Sequence, residues 1–174
     1  SSKYFTDTIL QNYPEAKDFN LIAAGHGYSL SPDIMPIKVD KEYLKTAILP
    51  FEMAEKADIP VWITEISDVN PLDISIHDGL KWAVTFHNYL TNANVNAIIW
   101  WGGAMPTSNN ESLIILDKNR KDFLLSKRYD IFGNFSRYIP EESTRIQVTQ
   151  SSGIPLLISA YKKDDEYTLV TINS

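Results

Sequence analysis

The sequence predicts an α/β fold: the C-terminal part of a (β/α)8 TIM barrel followed by antiparallel strands. Three observations carry that prediction. Helical and strand-like stretches alternate over the first 139 residues, and the hydrophobic period changes after Pro140. Each of the early strand-like stretches also ends in polar or aromatic residues that a core alone would not select. Alternation implies parallel strands joined by helical crossovers. Three strands are too few to close a barrel, which needs eight strands and typically about 250 residues. The chain therefore reads as a fragment of one, starting on a helix and stopping on a strand.

Composition narrows the class. The 174 residues are 44% hydrophobic, enough for a core. Net charge is −6 with Lys and Arg scattered, which points away from nucleic acid and from a basic membrane-binding face. No run approaches the roughly 18 apolar residues of a membrane span. With no cysteine, disulfides and thiolate metal sites are excluded. Three scattered histidines, His26, His77 and His87, do not suggest a metal site, and no cofactor is implied. The opening Ser-Ser-Lys-Tyr-Phe does not resemble a signal peptide.

Residues 4–18 have a helical pattern, with Tyr4, Phe5, Ile9 and Tyr13 on one face and an end near Pro14-Glu15. Residues 19–25 form a short apolar strand ending in Gly25-His26-Gly27-Tyr28, before a loop from Ser29 to Pro36. The glycines leave room for the backbone and place an imidazole and a phenol at the strand tip. The plain alternative for His26 is a hydrogen-bonded structural histidine. Residues 41–57 carry a helical stripe of Leu44, Ala47, Ile48, Phe51 and Ala54, in which Pro50 must kink the helix or start its second half.

Val61-Trp62-Ile63-Thr64-Glu65-Ile66-Ser67 is the second strand, bounded by Pro60 and by Asp68-Val69-Asn70-Pro71. A Glu at the tip of a buried strand is a poor choice for stability, because acids are rarely buried unpaired. Barrel enzymes assemble their active sites from such tips. The alternative is that Glu65 merely opens a solvated loop. Trp62, three residues earlier, is expected on the opposite side of the strand, in packing.

Ser75 is expected to cap the next helix, with Asp78 closing a short capping box. Its stripe is Ile76, Leu80, Ala83/Val84, His87 and Leu90, flanked by Trp82 and Phe86, which makes His87 a packing residue. Residues 94–99 form the third strand, ending in Trp100-Trp101-Gly102-Gly103. Adjacent residues on a strand point to opposite faces, so one tryptophan can join the core while the other lies over a cleft. A polar loop (104–112), a hairpin (113–116 with 123–125) and a helix (127–138) follow. Alternating strands at 145–150, 156–161 and 167–172, joined by turns, close the sequence, with a module boundary near 140–144.

With three strand tips in view, the chain resembles glycoside hydrolase family 30. The residues that carry this are Ala24-Gly25-His26-Gly27-Tyr28, Val61-Trp62-Ile63-Thr64-Glu65, Asn96-Ala97-Ile98-Ile99-Trp100-Trp101, the helix from Ser126-Lys127-Arg128-Tyr129 to Phe135-Ser136-Arg137-Tyr138-Ile139, and Thr144-Arg145-Ile146. The family is a (β/α)8 barrel fused to a side β-sandwich and includes xylanases, β-1,6-glucanases and glucosylceramidases. The resemblance implies that residues 1–139 hold about barrel strands six to eight and that 144–174 begin the side β-domain.

It also implies that Glu65 is the nucleophile of a retaining mechanism, in which one carboxylate forms a glycosyl-enzyme and a second, roughly 5 Å away, donates and recovers a proton. His26 and Tyr28 would donate hydrogen bonds near the nucleophile and the bound sugar. Trp100 or Trp101 would form a flat floor for a sugar ring. The family's acid/base Glu belongs on the fourth strand, so it is expected outside this chain. Of the other glutamates, Glu42, Glu52, Glu55, Glu141, Glu142 and Glu166 do not sit at suitable tips, and Glu111 alone could approach the cleft. The loop from Gly102 to Asn110 holds no Arg or Lys. An acidic branch would find no ion-pair partner there, which favours neutral xylan as substrate.

The partners implied are a polysaccharide and the missing N-terminal half of the barrel, on a second chain or replaced by a second copy, covering the open strand faces and edges. Nucleic acid and membrane are not implied, and secretion follows from the resemblance. The competing expectations are a retaining β-glycosidase of another barrel family or specificity, such as a family 5 cellulase, a β-1,6-glucanase or a β-glucosidase, and a non-catalytic carbohydrate-binding or structural half-barrel.

Overall fold

The computed structural model describes residues 2–19, 21–28, 48–151, 153 and 156–173. The loop expected at 29–36, the first part of the helix expected at 41–57 and Glu42 lie outside these residues. Helix α1 (Ser2–Asn12) runs into a 3-10 turn (Pro14–Phe19) and strand β1 (Ala23–His26). Pro14 ends the α-helix as expected. The expected apolar face, however, is exposed at Tyr4, Phe5, Ile9 and Tyr13, while Leu10 is buried.

Helix α2 (Glu52–Lys56) starts two residues beyond Pro50, so the proline precedes a helix and does not kink one. Ile48, Phe51 and Ala54 are buried, as their stripe predicts. Strand β2 (Val61–Ile66) and helix α3 (Ile76–Thr91) follow. Strand β3 (Ala97–Trp100) begins later than expected, because Asn94 takes a left-handed φ of 55° and belongs to the end of α3.

β1, β2 and β3 form a parallel sheet with β2 in the middle. Helix α3 packs on one face through Trp82, Ala83, Val84, Phe86 and Tyr89 against Val61, Ile63, Ile66 and Trp100. His87 is buried in the same helix, as predicted. The other face of the sheet is open, with Trp62, Ile99 and Trp101 exposed. The expected capping box does not form. Ser75 makes no side-chain capping bond, and Asp78 turns to Lys81 and Arg128.

A second sheet corrects the expected polar loop. Gly102–Met105 is strand β4, parallel to β5 (Ser112–Asp117), which pairs antiparallel with β6 (Asp122–Leu125) as the predicted hairpin. The chain passes tightly at Gly102, where a Cβ would lie 2.6 Å from Met105 Cε and 2.9 Å from Glu111 O. Helix α4 (Lys127–Ser136) is capped by Ser126, whose hydroxyl accepts from the Tyr129 amide and donates to Leu113 O. Such a cap contributes about 1 kcal/mol. β7 (Thr144–Ile146), β8 (Leu156–Lys163) and β9 (Glu166–Asn173) form the expected antiparallel sheet.

Candidate active site

The site is built on an irregularity in β2. Gly25 pairs with Ile63 but His26 pairs with Glu65, and on the other side Ile63 pairs with Ile98 while Ile66 pairs with Trp100. The middle strand therefore carries one extra residue, at Thr64-Glu65, relative to both neighbours. Such a bulge re-aims side chains and interrupts the alternation of faces. Val61, Ile63 and Ile66 all point into the core, and Thr64 and Glu65 fall between them. Glu65 consequently shares the open face with Trp62. This corrects the expectation that Trp62 packs on the opposite side, which assumed an unbroken period of two.

Around Glu65 the sequence-predicted donors converge. The Tyr28 hydroxyl donates to Glu65 Oε1 at 2.5 Å, and His26 Nδ1 lies 3.5 Å from the same oxygen. The two rings meet edge to face, with centroids 5.6 Å apart. Backbone contacts hold the tip in register: Gly27 N donates to Glu65 O at 2.8 Å, and Thr64 Oγ1 donates to Gly25 O. The chain passes closely at Gly27, where a Cβ would lie 2.7 Å from Ile66 Cδ1 and 3.0 Å from the Tyr89 hydroxyl, so Ile66 would have to shift to admit one.

Burial, the Glu65 hydrogen bond and the charges of Glu65 and Glu111 push the Tyr28 phenol up to about 12, against a smaller pull from a Ser67 hydrogen bond. The phenol is thus a proton donor throughout the physiological range. Ser67 is a site residue that sequence reasoning missed. It is buried one residue beyond the end of β2. Glu111 Oε2 accepts from Asn109 Nδ2 at 3.0 Å.

The two tryptophans separate. Trp100 is 6% exposed and packs edge-on against Trp82, with centroids 4.6 Å apart, while its Nε1 donates to Glu111 O. The expectation that Trp100 shares in a sugar floor is therefore corrected, because its ring is already covered. Trp101 is 54% exposed and follows Ile99 on the open face, beside the tip that carries Glu65. Among the described residues, no group of three or more His, Asp or Glu is arranged to hold a metal ion. No helix among them is long and apolar enough to cross a membrane.

No family model matches the chain. A glucuronoxylanase, XynC of Bacillus subtilis (strain 168), is 26% identical over 117 residues, covering 65% of this chain and 25% of its own length. The solved catalytic domain of GH30 xylanase C from Talaromyces cellulolyticus superposes with a TM-score of 0.60 at 25% identity, over 72% of this chain and 29% of its own. The chain is similar to family 30 glycoside hydrolases over part of their length. The resemblance carried by the three strand tips thus holds. A conserved exported protein from Bacteroides fragilis shares the fold, with a TM-score of 0.65 at 21% identity over 89% of this chain and 35% of its own. The chain spans about a quarter of the curated glucuronoxylanase it matches and about a third of these solved structures.

Proposed function

We propose that this chain is the nucleophile-bearing part of a secreted retaining endo-β-glycoside hydrolase acting on plant cell-wall polysaccharide, with neutral xylan as the preferred substrate. The observation that carries the reading is the Tyr28–Glu65 hydrogen bond at a bulged strand tip. A bulge that turns a carboxylate out of the core, with a phenol fixed on one of its oxygens, suits a nucleophile more than a stabilising residue. With Oε1 held by Tyr28, Oε2 is the oxygen that attacks the anomeric carbon. Tyr28 stays on Oε1 through formation and breakdown of the glycosyl-enzyme, His26 donates toward the same oxygen or a sugar hydroxyl, and Trp101 packs against a sugar face.

Residues 1–139 supply about strands six to eight of a (β/α)8 barrel, and 144–174 start a side β-domain. The general acid/base is a glutamate on an earlier barrel strand, outside this chain, roughly 5 Å from Glu65. The remaining strands, in the same or another polypeptide, cover the open face at Trp62 and Ile99. The xylanase relatives support the substrate class, and the absence of Arg or Lys from residues 102–110 supports a neutral main chain.

The test is Glu65→Gln in the complete protein. Xylan hydrolysis is expected to vanish while binding of xylooligosaccharides survives, as measured by calorimetry. Turnover that persists in this variant would exclude Glu65 as nucleophile. A protein that binds the sugars but never turns them over, with or without the substitution, would favour a binding module.

A further inference from the structure

Behind the site lies a buried ionic network that the chemistry of Glu65 does not use directly. The Arg128 side chain, at the start of α4, is 1% exposed. Its NH1 donates to Asp78 Oδ2 at 2.5 Å, Asp73 O at 2.7 Å and Asn110 Oδ1 at 3.0 Å, and its NH2 donates to Ser112 O at 3.1 Å. Lys81 bridges Asp78 to Asp68, at 2.9 and 2.6 Å. The two acids and two bases balance in charge, and both carboxylates are almost fully buried. Gly79 lets the starts of α3 and α4 come together, since a Cβ there would meet Lys127 O at 3.2 Å.

The placement of these partners is the informative part. Asp68 and Asp73 belong to the loop that leaves β2 immediately after Glu65, whereas Asn110 and Ser112 belong to the segment that follows Trp101. The two segments are also sewn together directly: Asn110 N donates to Asn70 O, Asp73 N donates to Asn110 Oδ1, and Pro71 bridges to Asn109. Asp68 follows Ser67 just beyond the end of β2, the strand that carries Glu65. A buried ion pair is a weak source of stability, because desolvation offsets most of the attraction. Its directional hydrogen bonds fix geometry instead.

We propose that Arg128 is a positioning residue for catalysis: it locks the loop after the Glu65 strand to the segment after Trp101, and so fixes the strand tip that carries Glu65. The proposal rests on the reading of Glu65 as nucleophile. Its sequence neighbours give no hint of this role, since Arg128 looks like an ordinary basic residue in the first turn of a helix.

The experiment uses the complete protein and a 2-deoxy-2-fluoro xylobioside with a dinitrophenolate leaving group. Glu65 forms a bond to the anomeric carbon as the bond to dinitrophenolate breaks, and the phenolate leaves with the electron pair. No proton donor is needed, so the inactivation rate reports nucleophile placement. Intact mass counts the labelled molecules. In Arg128→Lys, which keeps the charge but cannot reach all of those acceptors, the limiting inactivation rate is expected to fall roughly 10- to 100-fold while the half-saturating concentration holds. Asn110→Ser, which loosens the loop joint and leaves the ion pairs in place, is expected to move the same way and serves if Arg128→Lys is not recovered folded. A purely structural role would lower the labelled fraction and the melting temperature without slowing the reaction of labelled molecules, and that result would overturn the proposal alone. Equal labelling of the Glu65→Gln variant would overturn the nucleophile reading, and the positioning role with it.

Discussion

The Tyr28 hydroxyl donates to Glu65 Oε1 at 2.5 Å, across the bulge that separates β2 from the register of both neighbouring strands. A hydrogen bond to a carboxylate is charge-assisted and stronger than a neutral one. In a retaining mechanism it orients the attacking group and later stabilises the departing carboxylate. Replacing Tyr28 by Phe keeps the ring and removes the donor. In the complete protein, kcat on an activated aryl xylobioside is expected to fall roughly 10- to 1000-fold, within the range for loss of a positioned donor, with KM little changed. Steady-state kinetics checks this, and an unchanged kcat would remove Tyr28 from the mechanism.

Trp100 and Trp101 are adjacent in sequence and have opposite environments, which predicts opposite phenotypes. Trp100→Ala empties space beside Trp82 and Phe86 and is expected to cost about 3–5 kcal/mol of stability, seen in urea unfolding. Trp101→Ala is expected to leave stability within about 0.5 kcal/mol, as for an ordinary surface change, while raising KM for xylooligosaccharides. The reverse assignment of the two phenotypes would refute the placement of the sugar floor.

His87 makes stability depend on pH. Burial first, and then the charge of Arg145, lower its pKa to about 4 from the usual 6.5. The folded state therefore favours neutral His87, while the unfolded chain takes up a proton near its ordinary value. The sign follows: this contribution is full above about pH 6.5 and is lost as pH falls toward about 4. Unfolding measured at pH 7.5, 5.5 and 4 should show declining stability. His87→Gln, which cannot titrate, should flatten that decline relative to the parent. An identical slope in the variant would assign the acid sensitivity to other groups.

Much of this arrangement was legible in the amino-acid order. The meeting of His26, Tyr28 and Glu65 at neighbouring tips is what the family resemblance implied, whereas the alternation of α and β elements, the parallel sheet it implies and the antiparallel strands after Pro140 follow from periodicity, from Gly and Pro placement and from strand polarity. These are local properties, carried by residues within a few positions of one another. Helix α1 shows the limit of such reasoning, because its amphipathic pattern specifies a helix but not what lies against Tyr4, Phe5 and Ile9.

Only the tertiary structure decided which face each critical side chain uses. The extra residue in β2 shows up in pairing with β1 and β3, and no pattern within β2 signals it, so Trp62 and Glu65 share a side that a period of two would deny them. Trp100 was assigned to the core by Trp82 and Phe86 on α3. Asp78 looked like half of a capping box until Arg128, 50 residues away, claimed its carboxylate. In each case the deciding partner is distant in sequence, and a buried charge or ring settles where its contacts are best satisfied, which local order alone cannot specify.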